Sequence, residues 1–106
     1  MENIQKCIDA CLACSIECER CATECISMVN KGHLRCIANC RDCADICALC
    51  ARFQGRESVF ANALCKLCED ICNACAAECE KFPDRDCCKK CAEACRKCAI
   101  ECAKCI

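Results

Sequence analysis

The chain of 106 residues has no tryptophan, no tyrosine and only three phenylalanines, Phe53, Phe60 and Phe82. That shortage excludes base-stacking platforms and aromatic ligand pockets. Glycine occurs twice, at Gly32 and Gly55, and proline once, at Pro83, which argues against a loop-rich fold. A single histidine, His33, leaves little material for a cysteine–histidine catalytic pair. No window approaches the roughly 18 uninterrupted apolar residues of a membrane span. Neither sign of charge dominates: 15 basic residues face 16 acidic ones, for a net charge of −1. Nucleic acid and anionic membrane are therefore not expected partners. The opening MENIQKCIDAC has neither a basic segment ahead of a long apolar run nor a twin arginine. A cytoplasmic location is expected, where thiols stay reduced.

What the chain does have is sulfur. Twenty-three residues are cysteine, far above the level of an ordinary domain. A disulfide framework fits poorly. The count is odd, and the spacing is regular where disulfide-rich domains are irregular. From Cys7 to Cys25 the steps are four, three, four, three, four, the heptad rhythm that keeps residues on one face of an α-helix.

The few breakers divide the chain into four segments, at about residues 2–31, 33–54, 57–81 and 84–105. Gly32 and Gly55 are expected as left-handed helix C-terminal residues. Ser58 is the expected N-cap of the third segment. Pro83 ends that segment, and Asp84 or the proline opens the fourth. Each segment carries its own ladder. The first holds Cys7, Cys11, Cys14, Cys18, Cys21 and Cys25; the second Cys36, Cys40, Cys43, Cys47 and Cys50. The third holds Cys65, Cys68, Cys72, Cys75 and Cys79. The fourth holds Cys87, Cys88, Cys91, Cys95, Cys98, Cys102 and Cys105, with Cys87 beside the seam. Short connections make successive helices antiparallel. The expected fold is all-α, an up-down-up-down antiparallel four-helix bundle with a cysteine-lined core, over residues 1–106 as one domain.

Thiols can pack as small hydrophobes, but a core of one small residue type packs loosely and specifies poorly. A metal-binding seam explains the pattern better. Cβ atoms at i and i+3 or i+4 lie roughly 5–6 Å apart, within reach of one ion bridging two sulfurs. Buried thiolates need charge compensation. A monovalent ion supplies it at about one per cysteine, whereas zinc in Cys₄ sites leaves excess negative charge and wants separate tetrahedra. Soft thiolates select Cu(I). Iron–sulfur spacings are absent.

Continued past the last cysteines, the seam reaches Met28, three after Cys25, and His33, three before Cys36. Both fall at one end of an antiparallel bundle, with Cys79, Phe82, Asp84, Cys87 and Cys88, and form a mouth of softer, weaker ligands. The opposite end gathers Ile4, Phe53, Phe60, Ala61 and Leu64 around Cys50 and Cys105, and reads as an apolar plug. Leu12, Ile16 and Ile26 fall off the seam and should lie outside, where an apolar stripe marks an interface between copies.

The four ladders, the short turns and the missing leader resemble the bacterial copper storage proteins in their cytosolic form. The resemblance spans essentially the whole chain. It implies a four-helix bundle holding many Cu(I) ions along its core, commonly a homotetramer, with the 22 seam cysteines as ligands and His33 and Met28 near the open end. The expected function is a non-enzymatic store or buffer for Cu(I), exchanging copper with a chaperone or chelator. Two alternatives stand beside it: a general soft-metal sink for zinc, cadmium or silver, and a thiol-redox protein with at least one thiol of strongly depressed pKa.

Overall fold

Alanine, glutamate, lysine and arginine occupy most positions between the cysteines, and all favour helix. In the computed structural model, which describes residues 2–106, they form α1 (Glu2–Ser27), α2 (Leu34–Gly55), α3 (Ala61–Cys79) and α4 (Asp86–Ala103). A single 3₁₀ turn, Lys31–His33, precedes α2. α1 and α3 each pack against both α2 and α4, which makes a square bundle measuring 41 × 18 × 17 Å. At a rise of about 1.5 Å per residue, α1 alone runs nearly the full length.

Contacts between thiols give the helix directions. Cys7 meets Cys102 and Cys25 meets Cys88, so α1 and α4 are antiparallel. Cys36 meets Cys79 and Cys50 meets Cys65, so α2 and α3 are too. The bundle runs up-down-up-down. Ala10, Ala22, Ala44, Ala51, Ala76, Ala92 and Ala99 are buried beside the cysteines and let the backbones approach closely. Ser15 Oγ donates to the Ala44 carbonyl at 3.0 Å and pins α1 to α2. Outside, pairs such as Arg20–Glu17 at 2.9 Å and Lys90–Asp86 at 3.1 Å sit one helical turn apart in solvent. Such exposed pairs tune helix stability rather than create it.

The helix ends differ from the expected ones, and the reason is local. α1 stops at Ser27 because Val29, not Gly32, takes the left-handed conformation, at φ 50°. Its N–H donates to the Ile26 carbonyl at 3.1 Å. Gly32 lies inside the 3₁₀ turn, where its N–H donates to Asn30 Oδ1 at 2.8 Å. A Cβ at Gly32 would meet that same oxygen at 3.2 Å, so the glycine serves close approach instead. At the end of α2, Glu57 is left-handed at φ 52° while Gly55 remains helical. The Ser58 N–H reaches the Phe53 carbonyl and the Glu57 N–H that of Gln54, the two bonds of a Schellman motif. Ser58 caps no helix; its Oγ accepts from the Phe60 N–H within the turn, and α3 starts at Ala61. α4 begins at Asp86 behind an extended Arg85, so neither Pro83 nor Asp84 opens it.

Candidate metal centre

Twenty-two of the 23 thiols are buried, Cys105 is half-buried, and all are free. The heptad seams of four helices converge on one axis, so their sulfurs form a single column. Cross-helix contacts include Cys7–Cys102 and Cys36–Cys79 at 3.5 Å, and Cys18–Cys91, Cys43–Cys72 and Cys11–Cys98 at 3.6 Å. Two metal–thiolate bonds of about 2.3 Å span roughly 4–4.6 Å between sulfurs. Slight spreading of this column therefore admits an ion between neighbours.

Groups of four sulfurs lie within 4.8 Å of one another, among them Cys11/Cys68/Cys98/Cys102, Cys18/Cys75/Cys91/Cys95 and Cys21/Cys36/Cys40/Cys79. The groups overlap. Cys14 and Cys43 belong both to a set with Cys47 and Cys72 and to one with Cys18 and Cys95. Four of these sets share no residue, but sulfur contacts of 3.7 Å run between them, from Cys47 to Cys68, Cys14 to Cys95 and Cys40 to Cys91, so the column is continuous. Cys87, expected beside the seam, is buried with its Sγ 4.0 Å from that of Cys88, which in turn lies 3.8 Å from both Cys21 and Cys25.

Near the ends, burial sets the thiol chemistry. Loss of solvent pushes Cys25 up to about 11 and Cys65 up to about 12, and raises Cys88 and Cys105 as well. Without a cation, these thiols keep their protons at neutral pH.

The two ends meet expectation unequally. His33 comes beside Phe82, as expected, but it is buried. It is 4% exposed, its ring stacks on Phe82 with centroids 4.0 Å apart, and its Nδ1 is buried without a hydrogen-bond partner. Met28 is half-buried in the turn after α1, and Asp84 is exposed. The mouth is therefore lidded. At the opposite end there is no apolar plug: Phe60 is 65% exposed, and Phe53 lies under the Arg56 guanidinium at 4.2 Å. A cavity of about 450 Å³ stands there instead, with Asn3, Asn62 and Lys104 among its walls.

Sequence reasoning missed Gln54, four residues after Cys50 and next on the α2 seam. It is 4% exposed, and its Nε2 donates to the sulfurs of Cys7 at 3.2 Å and Cys50 at 3.3 Å. Its Oε1 is buried and unpartnered. The seam period was enough to find it; only the search for sulfur passed it over.

The whole chain, residues 1–106, matches the family described as Csp, copper storage protein. The chain belongs to the copper storage protein family. A cysteine-rich protein of Bacillus subtilis, YhjQ, is 44% identical over 89 residues, covering 83% of this chain and 82% of that protein. The Cu(I)-bound Bacillus copper storage protein BsCsp3 superposes with a TM-score of 0.90 at 43% identity, over 96% of each chain. The cytosolic copper storage protein of Streptomyces lividans, captured with five coppers, superposes with a TM-score of 0.91 at 31% identity, over 98% of this chain and 92% of that one. The same Streptomyces protein has also been seen loaded with 10 copper equivalents. Copper storage proteins thus share this bundle.

Proposed function

We propose that this chain stores cuprous ions in its sulfur column, in the cytosol, without catalysing a reaction. The observation that carries this reading is the unbroken sulfur contact from one four-sulfur group to the next, at 3.7 Å for Cys47–Cys68, Cys14–Cys95 and Cys40–Cys91. Ions of charge +1 held by bridging thiolates neutralise a buried column as it fills, at about one ion per thiolate. Zinc in a four-thiolate site leaves two uncompensated negative charges in the buried column. The same continuity disfavours a redox protein, because no pair of buried thiols is set apart as attacking and resolving partners.

The ligands on this reading are the seam cysteines from Cys7 to Cys105, Cys87 included. Met28 and His33 receive copper at the lidded end. The unpartnered His33 Nδ1 supports that role, since a buried imidazole nitrogen without a proton donor is a free ligand position. Leu12, Ile16 and Ile26 are about half exposed along one side of α1, which supports association of copies through that helix; the homotetramer implied by family resemblance uses this face. A copper chaperone or a small chelator is the exchange partner.

The test is an anaerobic Cu(I) titration of the reduced protein against a chromogenic chelator, with helicity followed by circular dichroism. Uptake of about one ion per cysteine, resistant to zinc, on an already helical protein is the expected result. Saturation at a few ions, or displacement by zinc, would overturn it in favour of a general soft-metal sink.

A further inference from the structure

We propose that the Gln54 end is a second port, through which a small aminothiol draws Cu(I) out of the column. The inference rests on the storage reading for its cargo, but the port itself stands on independent observations. The first is the cavity of about 450 Å³, walled by Gln54, Cys65, Cys105 and Lys104 together with Asn3 and Asn62. That volume suits a small ligand. The second is Cys105, which alone among the described thiols is not buried. The third is Gln54 itself, nine-tenths buried, with an oxygen that meets no donor.

Gln54 occupies the position where the α2 ladder would next place a thiol, and its amide stands between the cavity and Cys7 and Cys50. Its N–H groups donate to those two sulfurs. Sulfur is a weak acceptor, and the opposite end of the amide is unsatisfied. A buried amide held on one side only is poorly anchored, because swinging it into the cavity hydrates its oxygen. Once loaded, Cys7 and Cys50 are thiolates that can only accept, which fixes the amide with its N–H groups toward them. Gln54 is a gate whose closed position favours the filled column.

The cavity chemistry defines the caller. A soft sulfur ligand competes well for Cu(I). The Gln54 oxygen favours an N–H donor, and Glu57 on the cavity wall favours a cation, while Lys104 is already paired with Glu101 at 3.1 Å. A small aminothiol has both the sulfur and the charged N–H donor. The exchange balances without electron transfer: the incoming thiol gives up its proton, and its sulfur bonds to Cu(I). The bond from Cu(I) to Cys105 or Cys65 then breaks, and the freed cysteine takes up that proton. Copper remains cuprous throughout. Toward the other end, cavities of about 540 and 310 Å³ are walled in part by Cys79 and Cys25, but both of those thiols are buried.

Two measurements test this on the full chain. The reduced, copper-free protein is alkylated anaerobically with iodoacetate or iodoacetamide, and labelled cysteines are mapped by mass spectrometry. Cys105 should react first, followed by Cys65, Cys50 and Cys7, ahead of Cys21 and Cys25. Gln54→Ala should speed labelling of Cys7 and Cys50 roughly tenfold by removing both hydrogen bonds, without changing Cys21 or Cys25. Gln54→Leu, which fills the space without the polar mismatch, should slow it. Labelling that starts at Cys25, or that both variants change equally at both ends, overturns the port. In the second measurement, copper-loaded protein is mixed with cysteamine or with 2-mercaptoethanol in the presence of a chelator. Cysteamine should release copper faster, and Glu57→Gln should remove that preference while total capacity stays constant. Equal release by both thiols overturns the ligand assignment. A protein that takes up no copper would fail the storage reading, yet its labelling pattern would still decide the port.

Discussion

The two ends of the bundle use the same ladder and finish it differently. At the α1–α2 turn, the seam closes on rings: His33 and Phe82 stack face to face. At the other end it closes on an amide, with Gln54 bridging Cys7 and Cys50 beside a cavity. Between them, the middle of the column is sulfur alone, sealed from water. The difference teaches that a thiol core can be capped by apolar stacking, which seals, or by hydrogen bonding, which can be exchanged for water.

The largest effect should come from setting the sealed middle against the open end with the same substitution. Cys47→Lys buries a cation among thiols with no partner, and should cost about 3–5 kcal/mol in anaerobic urea unfolding. Cys105→Lys, at the rim, should cost under about 0.5 kcal/mol. Similar costs at both sites would erase the distinction between column and port.

The pH dependence of the apo protein comes next. Cys25 and Cys65 ionise near 9.0 when unfolded but near 11 and 12 when folded, because burial disfavours the thiolate. Above pH 9 the unfolded chain therefore binds fewer protons than the folded one, and stability falls as pH rises toward 11–12. The apo melting temperature should be level below pH 9 and drop beyond it. The copper-loaded form, whose thiolates are already compensated, should lack that drop.

At the lidded end, His33→Ala removes a ring stack worth about 1 kcal/mol and also a buried unsatisfied nitrogen of similar cost. The melting temperature should therefore move little, while stopped-flow uptake of the first copper equivalents slows. His33→Leu restores the packing but not the ligand, and should remain slow. Smallest is Met28→Leu, near neutral for stability, with a slowing of uptake less than that of His33→Ala. Faster uptake in either histidine variant would make the stack a mere obstruction.

Much of this architecture was legible because cysteine spacing is a direct record of helical phase. Cys36 through Cys50 step by four, three, four, three, and each lands on the axis. The outward placement of Leu12, Ile16 and Ile26 followed from the same phase. The turns were less legible, since glycine was expected to take the left-handed residue at each helix end. Val29 and Glu57 take it instead, while the Gly32 N–H bonds to Asn30. Capping geometry depends on neighbouring carbonyls that no residue identity announces. The ends of the column were misjudged for a related reason. Phe53 and Phe60 suggested a plug by their apolarity, yet Phe60 is exposed and Phe53 lies under the Arg56 guanidinium; Gln54, polar and unremarked, is buried.

The continuity of the sulfur column has a consequence for the order of traffic. At about one Cu(I) per thiolate the ions fill the cross-section of this 18 × 17 Å bundle, so an inner ion reaches solvent only as outer ions move. With one doorway, the last ion admitted is the first returned, and the deepest ions stay for the life of the protein. With a doorway at each end, the oldest ion can leave while a new one arrives, and the whole inventory turns over. Which regime holds is set by the residue that follows Cys50 on its seam.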